Sequence, residues 1–100
     1  MQYEVILDLQ ALDDLKGLPA RQRSKIVALI ETLLASNPTT VSKSRIKKLT
    51  GIESPQYRMR VDEYRVFYDV YVRRVHVLRV TPKGETDEYL RSMGYEPENS

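Results

Sequence analysis

Residues 56–71, QYRMRVDEYRVFYDVY, alternate between apolar and polar side chains on both sides of Asp62-Glu63. Alternation with a period of two is typical of half-buried strands, and a two-residue break between two such runs is typical of a hairpin. The stretch therefore predicts two antiparallel strands, 56–61 and 64–71, and places a β-sheet at the centre of the fold.

The register of this hairpin separates its side chains into two faces. Arg58, Arg60 and Arg65 share the polar face, with Arg60 directly opposite Arg65. Because like charges opposite each other destabilise a sheet, this pairing predicts an anionic ligand above the arginines. The alternative is that nearby carboxylates neutralise them: Asp62, Glu63 or Asp69. The other face is apolar and consists of Tyr57, Met59, Val61, Tyr64, Val66, Tyr68 and Val70.

The rest of the chain adds three strands and three helices to the hairpin. Helical spacing of Ile26, Ile30 and Leu33 indicates an amphipathic helix, and Thr86 or Asp87 is expected to cap a last short helix. The order βααββββα indicates an α+β domain of residues 1–95: an antiparallel sheet of four to five strands, two N-terminal helices on one face, and a short C-terminal helix. Residues 96–100 are expected to form a frayed tail. The further elements are strands 3–9, 45–49 and 75–80 and helices 9–18, 20–36 and 86–93.

Composition excludes several classes of protein. The chain has 100 residues and no cysteine, so a disulfide scaffold, a thiolate zinc site and a cysteine nucleophile are excluded. Its apolar runs are far shorter than the roughly 18 residues that a membrane-spanning helix needs. Glu4 and Asp8 stand where a signal peptide would be basic and then apolar. We therefore expect a cytoplasmic protein without a membrane partner.

The net charge of +2 conceals an uneven distribution. Residues 43–83 contain eleven basic and four acidic side chains, whereas the segments on either side have a net negative charge. A basic region concentrated in a small domain attracts polyanions, of which RNA and DNA are the commonest.

Four segments carry a resemblance to a known family. The runs IKKLTG at 46–51, YRMRV at 57–61, YRVFY at 64–68 and VLRV at 77–80 resemble the RelE/ParE superfamily of bacterial type II toxins. The resemblance covers nearly the whole chain, because the preceding strand and helices and the closing helix follow the same order. The RelE-like members are ribonucleases, whereas the ParE-like members inhibit DNA gyrase without catalysis.

The resemblance to RelE-like ribonucleases implies a catalytic cleft. Three of its positions differ in residue type, since Arg58 and Arg60 stand where the best-known members have lysines, and Lys83 where they have arginine. Arg79 reaches the cleft only if the register of the last strand turns it to that face. The implied catalytic residues are Arg58, Arg60, Arg65, Lys83 and Tyr89. The expected RNA-binding residues are Lys47, Lys48 and Arg79.

The chemistry expected of this cleft is metal-independent. Attack by an RNA 2′-hydroxyl needs an aligned nucleophile, proton transfer and positive charge at the phosphorane-like transition state. Arginines are suited to stabilising the charge of the transition state, because a guanidinium group forms bidentate hydrogen bonds with phosphate oxygens. Lys83 is the expected general acid, and Tyr89 is expected to stack on a base. No metal and no cofactor are expected.

The leading hypothesis is a toxin that cleaves mRNA on the ribosome and is inhibited by a cognate antitoxin. Its expected partners are therefore the antitoxin, mRNA and the ribosome. Two alternatives remain open: a ParE-like inhibitor of gyrase, and a non-toxic RNA-binding module on the same scaffold. His76 is expected to be a half-buried sheet residue and not a catalytic one.

Overall fold

A computed structural model of the chain describes residues 2–95, so the expected tail at 96–100 lies outside the described residues. The elements follow the predicted order βααββββα. The strands are Glu4–Leu7 (β1), Ile46–Lys48 (β2), Tyr57–Val61 (β3), Tyr64–Tyr71 (β4) and Arg74–Pro82 (β5). The helices are Leu9–Lys16 (α1), Ala20–Leu29 (α2) and Thr86–Ser92 (α3). A π-helical turn, Ile30–Leu34, continues α2, and a 3-10 turn, Lys83–Glu85, precedes α3.

The β3–β4 hairpin has the predicted register. Arg60 lies opposite Arg65, and Val61 lies opposite Tyr64 across the turn. Asp62 adopts the left-handed conformation, with a φ of 54°. Aspartate tolerates this conformation better than most residues, and its presence here accounts for a tight turn without glycine.

The expectation of an antiparallel sheet is wrong for one strand. The strand order is β1-β5-β4-β3-β2, and β1 runs parallel to β5, with Val5 opposite Val75. Short turns enforce antiparallel pairing between strands that are adjacent in sequence, but β1 reaches β5 only through the rest of the chain. The sheet is therefore mixed, with β2, β3, β4 and β5 antiparallel to their neighbours.

Two helices cover one face of the sheet, as predicted. Leu15 from α1 and Ile26 from α2 are buried against Met59, Val66 and Val77 of the sheet. This core face contains the apolar residues expected of the hairpin, including Tyr57 and Tyr68, whose rings stack at 5.4 Å. None of the helices among residues 2–95 is long and apolar enough to cross a membrane.

The opposite, outer face of the sheet is covered in its middle by α3. Phe67 is fully buried there beneath Tyr89 and Leu90. The helix begins at Thr86 without a side-chain cap, so the expectation that Thr86 or Asp87 caps it is wrong. Gly94 has a φ of 97° just beyond the helix, a conformation that favours glycine.

Candidate functional site

Three arginines gather on the outer face beside α3. Arg60 lies opposite Arg65, and Arg58 lies opposite Phe67, so all three project to the face that α3 partly covers. We call Arg58, Arg60 and Arg65 the arginine cluster. The sequence-based assignment of these three residues to one polar face is confirmed.

Burial and neighbouring arginines disfavour the protonated forms of Arg58 and Arg65. Burial, Arg65 and Arg60 lower the pKa of Arg58, in that order of importance. Burial and Arg60 likewise lower the pKa of Arg65, while Glu63 raises it. A lowered pKa means that the surroundings disfavour the protonated form, so an anion bound here would relieve the repulsion.

Most of the carboxylates that the sequence suggested as partners of the arginines form other interactions. Asp69 accepts hydrogen bonds from the Ser54 hydroxyl and the Gln56 backbone N–H, and Asp62 pairs with Lys25 at 2.8 Å. Within residues 2–95, no carboxylate forms a salt bridge with the arginine cluster. The positive charge of the cluster is therefore not neutralised by a salt bridge within this part of the chain.

Arg65 is the most rigidly held of the three arginines. It is 7% exposed, and its Nη1 donates to the backbone carbonyls of Asp62 and Tyr64 at 3.0 and 2.9 Å. Arg60 is exposed at the surface. One guanidinium is thus positioned by the hairpin turn while its neighbour faces solvent.

A β-bulge decides the position of Arg79. The pairing of β4 with β5 shifts between Phe67 and Tyr68, so Arg79, not Leu78, lies opposite Phe67. Arg79 is thereby turned to the outer face. Its guanidinium donates to Asp14 of α1 at 2.7 and 3.2 Å and lies 5.4 Å from the Tyr89 ring centre. The predicted RNA-binding residue therefore carries an intramolecular salt bridge, and sequence reasoning missed Asp14.

The two predicted RNA-binding lysines lie on opposite faces of the sheet. Lys47 is opposite Arg58 and belongs to the outer face. Lys48 is opposite Tyr57, and its Nζ lies 5.1 Å from the centre of that core-facing ring. Adjacent residues in a strand point to opposite sides, so only Lys47 lies on the same face as the arginine cluster.

Lys83 lies at the end of the hairpin that carries the arginines. It is exposed in the 3-10 turn after β5, and its backbone N–H donates to the Glu63 carbonyl at 2.7 Å. This bond brings the turn after β5 next to the turn between β3 and β4. His76, by contrast, is half buried, and its ring centre lies 5.6 Å from that of Tyr71, with the two rings close to perpendicular.

Tyr89 is a buried residue. It is 8% exposed, and its ring packs 5.0 Å from Phe67 on the side of the sheet and contacts Arg79. Burial is the main reason why its pKa rises to about 12. Its hydroxyl is buried and has no hydrogen-bond partner among the described residues. The ring therefore offers little surface on which a base could stack, contrary to the role expected from the sequence.

Two small cavities flank α3 on the outer face. One, of about 200 Å³, lies between α3 and β5 and includes Arg79, Thr81 and Tyr89. The other, of about 210 Å³, lies between α3 and β2–β3 and includes Lys47 and Arg58. No three histidine, aspartate or glutamate side chains between residues 2 and 95 gather as a metal site would require.

Comparisons with known proteins agree with this architecture. Residues 5–86 match the family described as the ParE toxin of the type II toxin-antitoxin system parDE. The chain is 36% identical over 86 residues to a protein named "Putative toxin RelE1" from Methanocaldococcus jannaschii, over 85% of this chain and 93% of that protein.

Two solved toxin–antitoxin complexes contain chains with the same fold. A chain of the RelBE2 complex from Mycobacterium tuberculosis has a TM-score of 0.71 at 25% identity, over 82% of this chain and 99% of that one. A chain of the archaeal RelE-RelB complex from Pyrococcus horikoshii has a TM-score of 0.69 at 28% identity, over 84% and 98%. The chain belongs to the RelE/ParE family of toxins of type II toxin–antitoxin systems.

Proposed function

We propose that this toxin is a metal-independent endoribonuclease that cleaves mRNA on the ribosome through attack by an RNA 2′-hydroxyl. The observation that carries the proposal is the arginine cluster, in which three guanidinium groups share one face without a carboxylate partner among residues 2–95. A phosphate and its charged transition state are the anions that such groups bind best.

The proposed catalytic roles follow from how each side chain is held. Arg65 is fixed by two backbone carbonyls, which suits a group that stabilises charge developing on the scissile phosphate. Arg60 is exposed and free to hold the phosphate or the attacking hydroxyl. Lys83 is proposed as the general acid, because an arginine is too weak an acid to transfer its proton readily at neutral pH.

Two of the other predicted residues, Tyr89 and Arg79, take structural roles in this proposal. Tyr89 packs on Phe67 and holds α3 over the outer face, so we propose that it positions the site and does not bind a base. Arg79 is bound by Asp14 and forms a wall of the cleft. Among the lysines of β2, Lys47 is proposed to contact RNA phosphate beside Arg58, and Lys48 is not.

We further infer that a cognate antitoxin inhibits this chain. The support comes from relatives, since the chains that match it in fold were solved in toxin–antitoxin complexes. An extended antitoxin segment that brings carboxylates to the arginine cluster would neutralise it and exclude RNA. Segments that fold on binding can cover large surfaces in this way.

Gyrase inhibition is a second candidate, favoured by one observation: the matching family bears the name of ParE. Pulse labelling after induction of the chain alone separates the two. A ribonuclease acting on mRNA stops amino-acid incorporation first and leaves DNA synthesis running in the early period. Early loss of thymidine incorporation with DNA breaks, while protein synthesis continues, would instead establish gyrase as the target.

A further inference from the structure

The cavity between α3 and β2–β3 combines apolar walls with charged groups at its rim. Leu49, Ile52, Leu90 and Tyr95 supply the apolar surface, and these side chains pack around the buried Phe67 cluster. Its volume of about 210 Å³ is well below the range of typical drug-sized pockets. A single nucleobase is small enough for a cavity of this size.

Polar atoms in this groove lack partners within the protein. Arg58 Nε and Thr86 Oγ1 are both buried without a hydrogen-bond partner among the described residues, and both residues line the groove. An unpaired buried polar group is destabilising, so a ligand that supplied hydrogen bonds here would be favoured. The exposed carboxylate of Asp87 stands at the same groove and can only accept hydrogen bonds.

Arg58 connects the groove to the proposed site of cleavage. It lines the groove, and it is close enough to Arg60 and Arg65 for their charges to lower its pKa. A nucleotide whose phosphate lies at the arginine cluster therefore has its base within reach of the groove. Specific recognition of single-stranded RNA uses this arrangement, in which an unstacked base enters an apolar site and is read along its edge.

We propose that this groove binds one unstacked base of the RNA, and that Asp87 selects a base with an exocyclic amino group over uracil; this inference rests on the proposed ribonuclease function. A carboxylate accepts a hydrogen bond from the amino group of cytosine, whereas the corresponding position of uracil is a carbonyl oxygen that repels it. Lys47, on the outer face beside Arg58, is available for the phosphate of the same nucleotide.

Titration of the full chain with cytidine and uridine monophosphates, followed by NMR, tests the groove directly. The two ligands share ribose and phosphate and differ only at the base edge. Cytidine monophosphate is expected to shift the methyl signals of Leu49, Ile52 and Leu90 and to bind about tenfold more tightly than uridine monophosphate. In Asp87→Asn the two affinities are expected to become about equal.

Glu88→Gln is the matched control, because Glu88 lies on the same helix but lines the other cavity. It removes the same charge and is expected to preserve the preference for cytidine. Equal affinities in the wild type, shifts away from the groove, or the same loss in Glu88→Gln would each overturn the proposal. Absence of any shift would also overturn the proposal. A side chain of a protein partner would then be the alternative occupant of the groove.

Mapping of RNA ends from a ribosome-dependent cleavage reaction separates this inference from the proposed function. The wild type is expected to disfavour uridine at one position next to the cut, and Asp87→Asn is expected to accept it. Cleavage without any such preference would refute the groove assignment alone. Binding of cytidine monophosphate in the groove by a chain that cleaves no RNA would refute the ribonuclease function and leave the base site standing.

Discussion

Arg60 and Arg65 face each other in the sheet but are held in different ways. Arg60 is exposed, whereas the Arg65 guanidinium is bonded to two carbonyls of the hairpin turn. Arg60→Ala should relieve the repulsion between them and leave the free energy of unfolding unchanged or slightly higher. It should also lower the rate of ribosome-dependent RNA cleavage by about 10²–10³, the usual cost of losing a charge contact to a transition state.

A thermal melt beside the cleavage assay checks the Arg60 prediction. Arg21→Ala serves as control, because Arg21 is an exposed residue of α2, the helix that packs on the opposite face of the sheet. Equal losses of activity in both variants would show that Arg60 contributes only through the overall positive charge of the chain and not through a specific contact. Arg65→Ala is less informative, since it also removes the two hydrogen bonds to the turn and is expected to destabilise the chain.

Tyr89 allows a test of the hydroxyl separately from the ring. The hydroxyl is buried without a partner among residues 2–95, so Tyr89→Phe should keep or raise stability at neutral pH. The folded-state pKa of about 12 lies above the ordinary 10.0, so stability from the neutral phenol is complete below pH 10 and falls as pH rises from 10 to 12. Tyr89→Phe should weaken this alkaline loss, measured by urea unfolding across that window.

The cleavage rate of Tyr89→Phe then decides whether the hydroxyl takes part in the reaction. Unchanged cleavage is expected if Tyr89 only positions α3. A large loss of rate with an intact melt would restore the direct catalytic role that the sequence suggested. A steeper alkaline loss of stability than in the wild type would contradict the buried neutral phenol.

At the scale of elements, the contact between α1 and the bulge of β5 depends on one carboxylate. Asp14 accepts hydrogen bonds from the Arg79 guanidinium and, at 2.8 Å, from the backbone N–H of Val80. Its side chain is 18% exposed, and that of Arg79 is 30% exposed. Asp14→Ala leaves both donors unpaired and should lower the free energy of unfolding by about 2–3 kcal/mol.

Urea denaturation measures the Asp14 effect. Asp13→Ala is the control, since Asp13 is an exposed neighbour in the same helix, and its change should stay within about 0.5 kcal/mol. If the two substitutions cost the same, the contact contributes nothing specific, and the orientation of Arg79 must come from the bulge alone.

The distribution of charge over the whole molecule predicts how RNA binding responds to salt. Each phosphate contact to single-stranded RNA contributes about 0.7 to the slope of log affinity against log salt concentration. Replacement of both Arg58 and Arg60 by alanine should therefore reduce the slope by about 1.4, as measured by fluorescence anisotropy over a salt series. Arg21→Ala should leave the slope unchanged, and a similar reduction in that control would show that net charge alone governs binding.

The sequence alone determined the hairpin, its register and the face shared by the arginine cluster. Period-two alternation around a two-residue turn fixes which residues oppose each other, because every partner follows from the turn by counting. The helical spacing of apolar residues predicted the helices on the core face, and the succession of the two kinds of spacing along the chain predicted the order of elements. The sequence also carried the motifs that identify the family.

Tertiary structure decided whatever depended on contacts between distant segments. The parallel direction of β1 was not encoded in its own periodicity, since no short turn connects it to β5. The bulge that turns Arg79 outward brings it to Asp14, which lies 65 residues away in sequence. Tyr89 is buried because α3 packs its ring on Phe67. This long-range contact cannot be predicted from the sequence of a short polar helix. Local spacing specifies register, but packing between distant elements determines direction, bulges and burial.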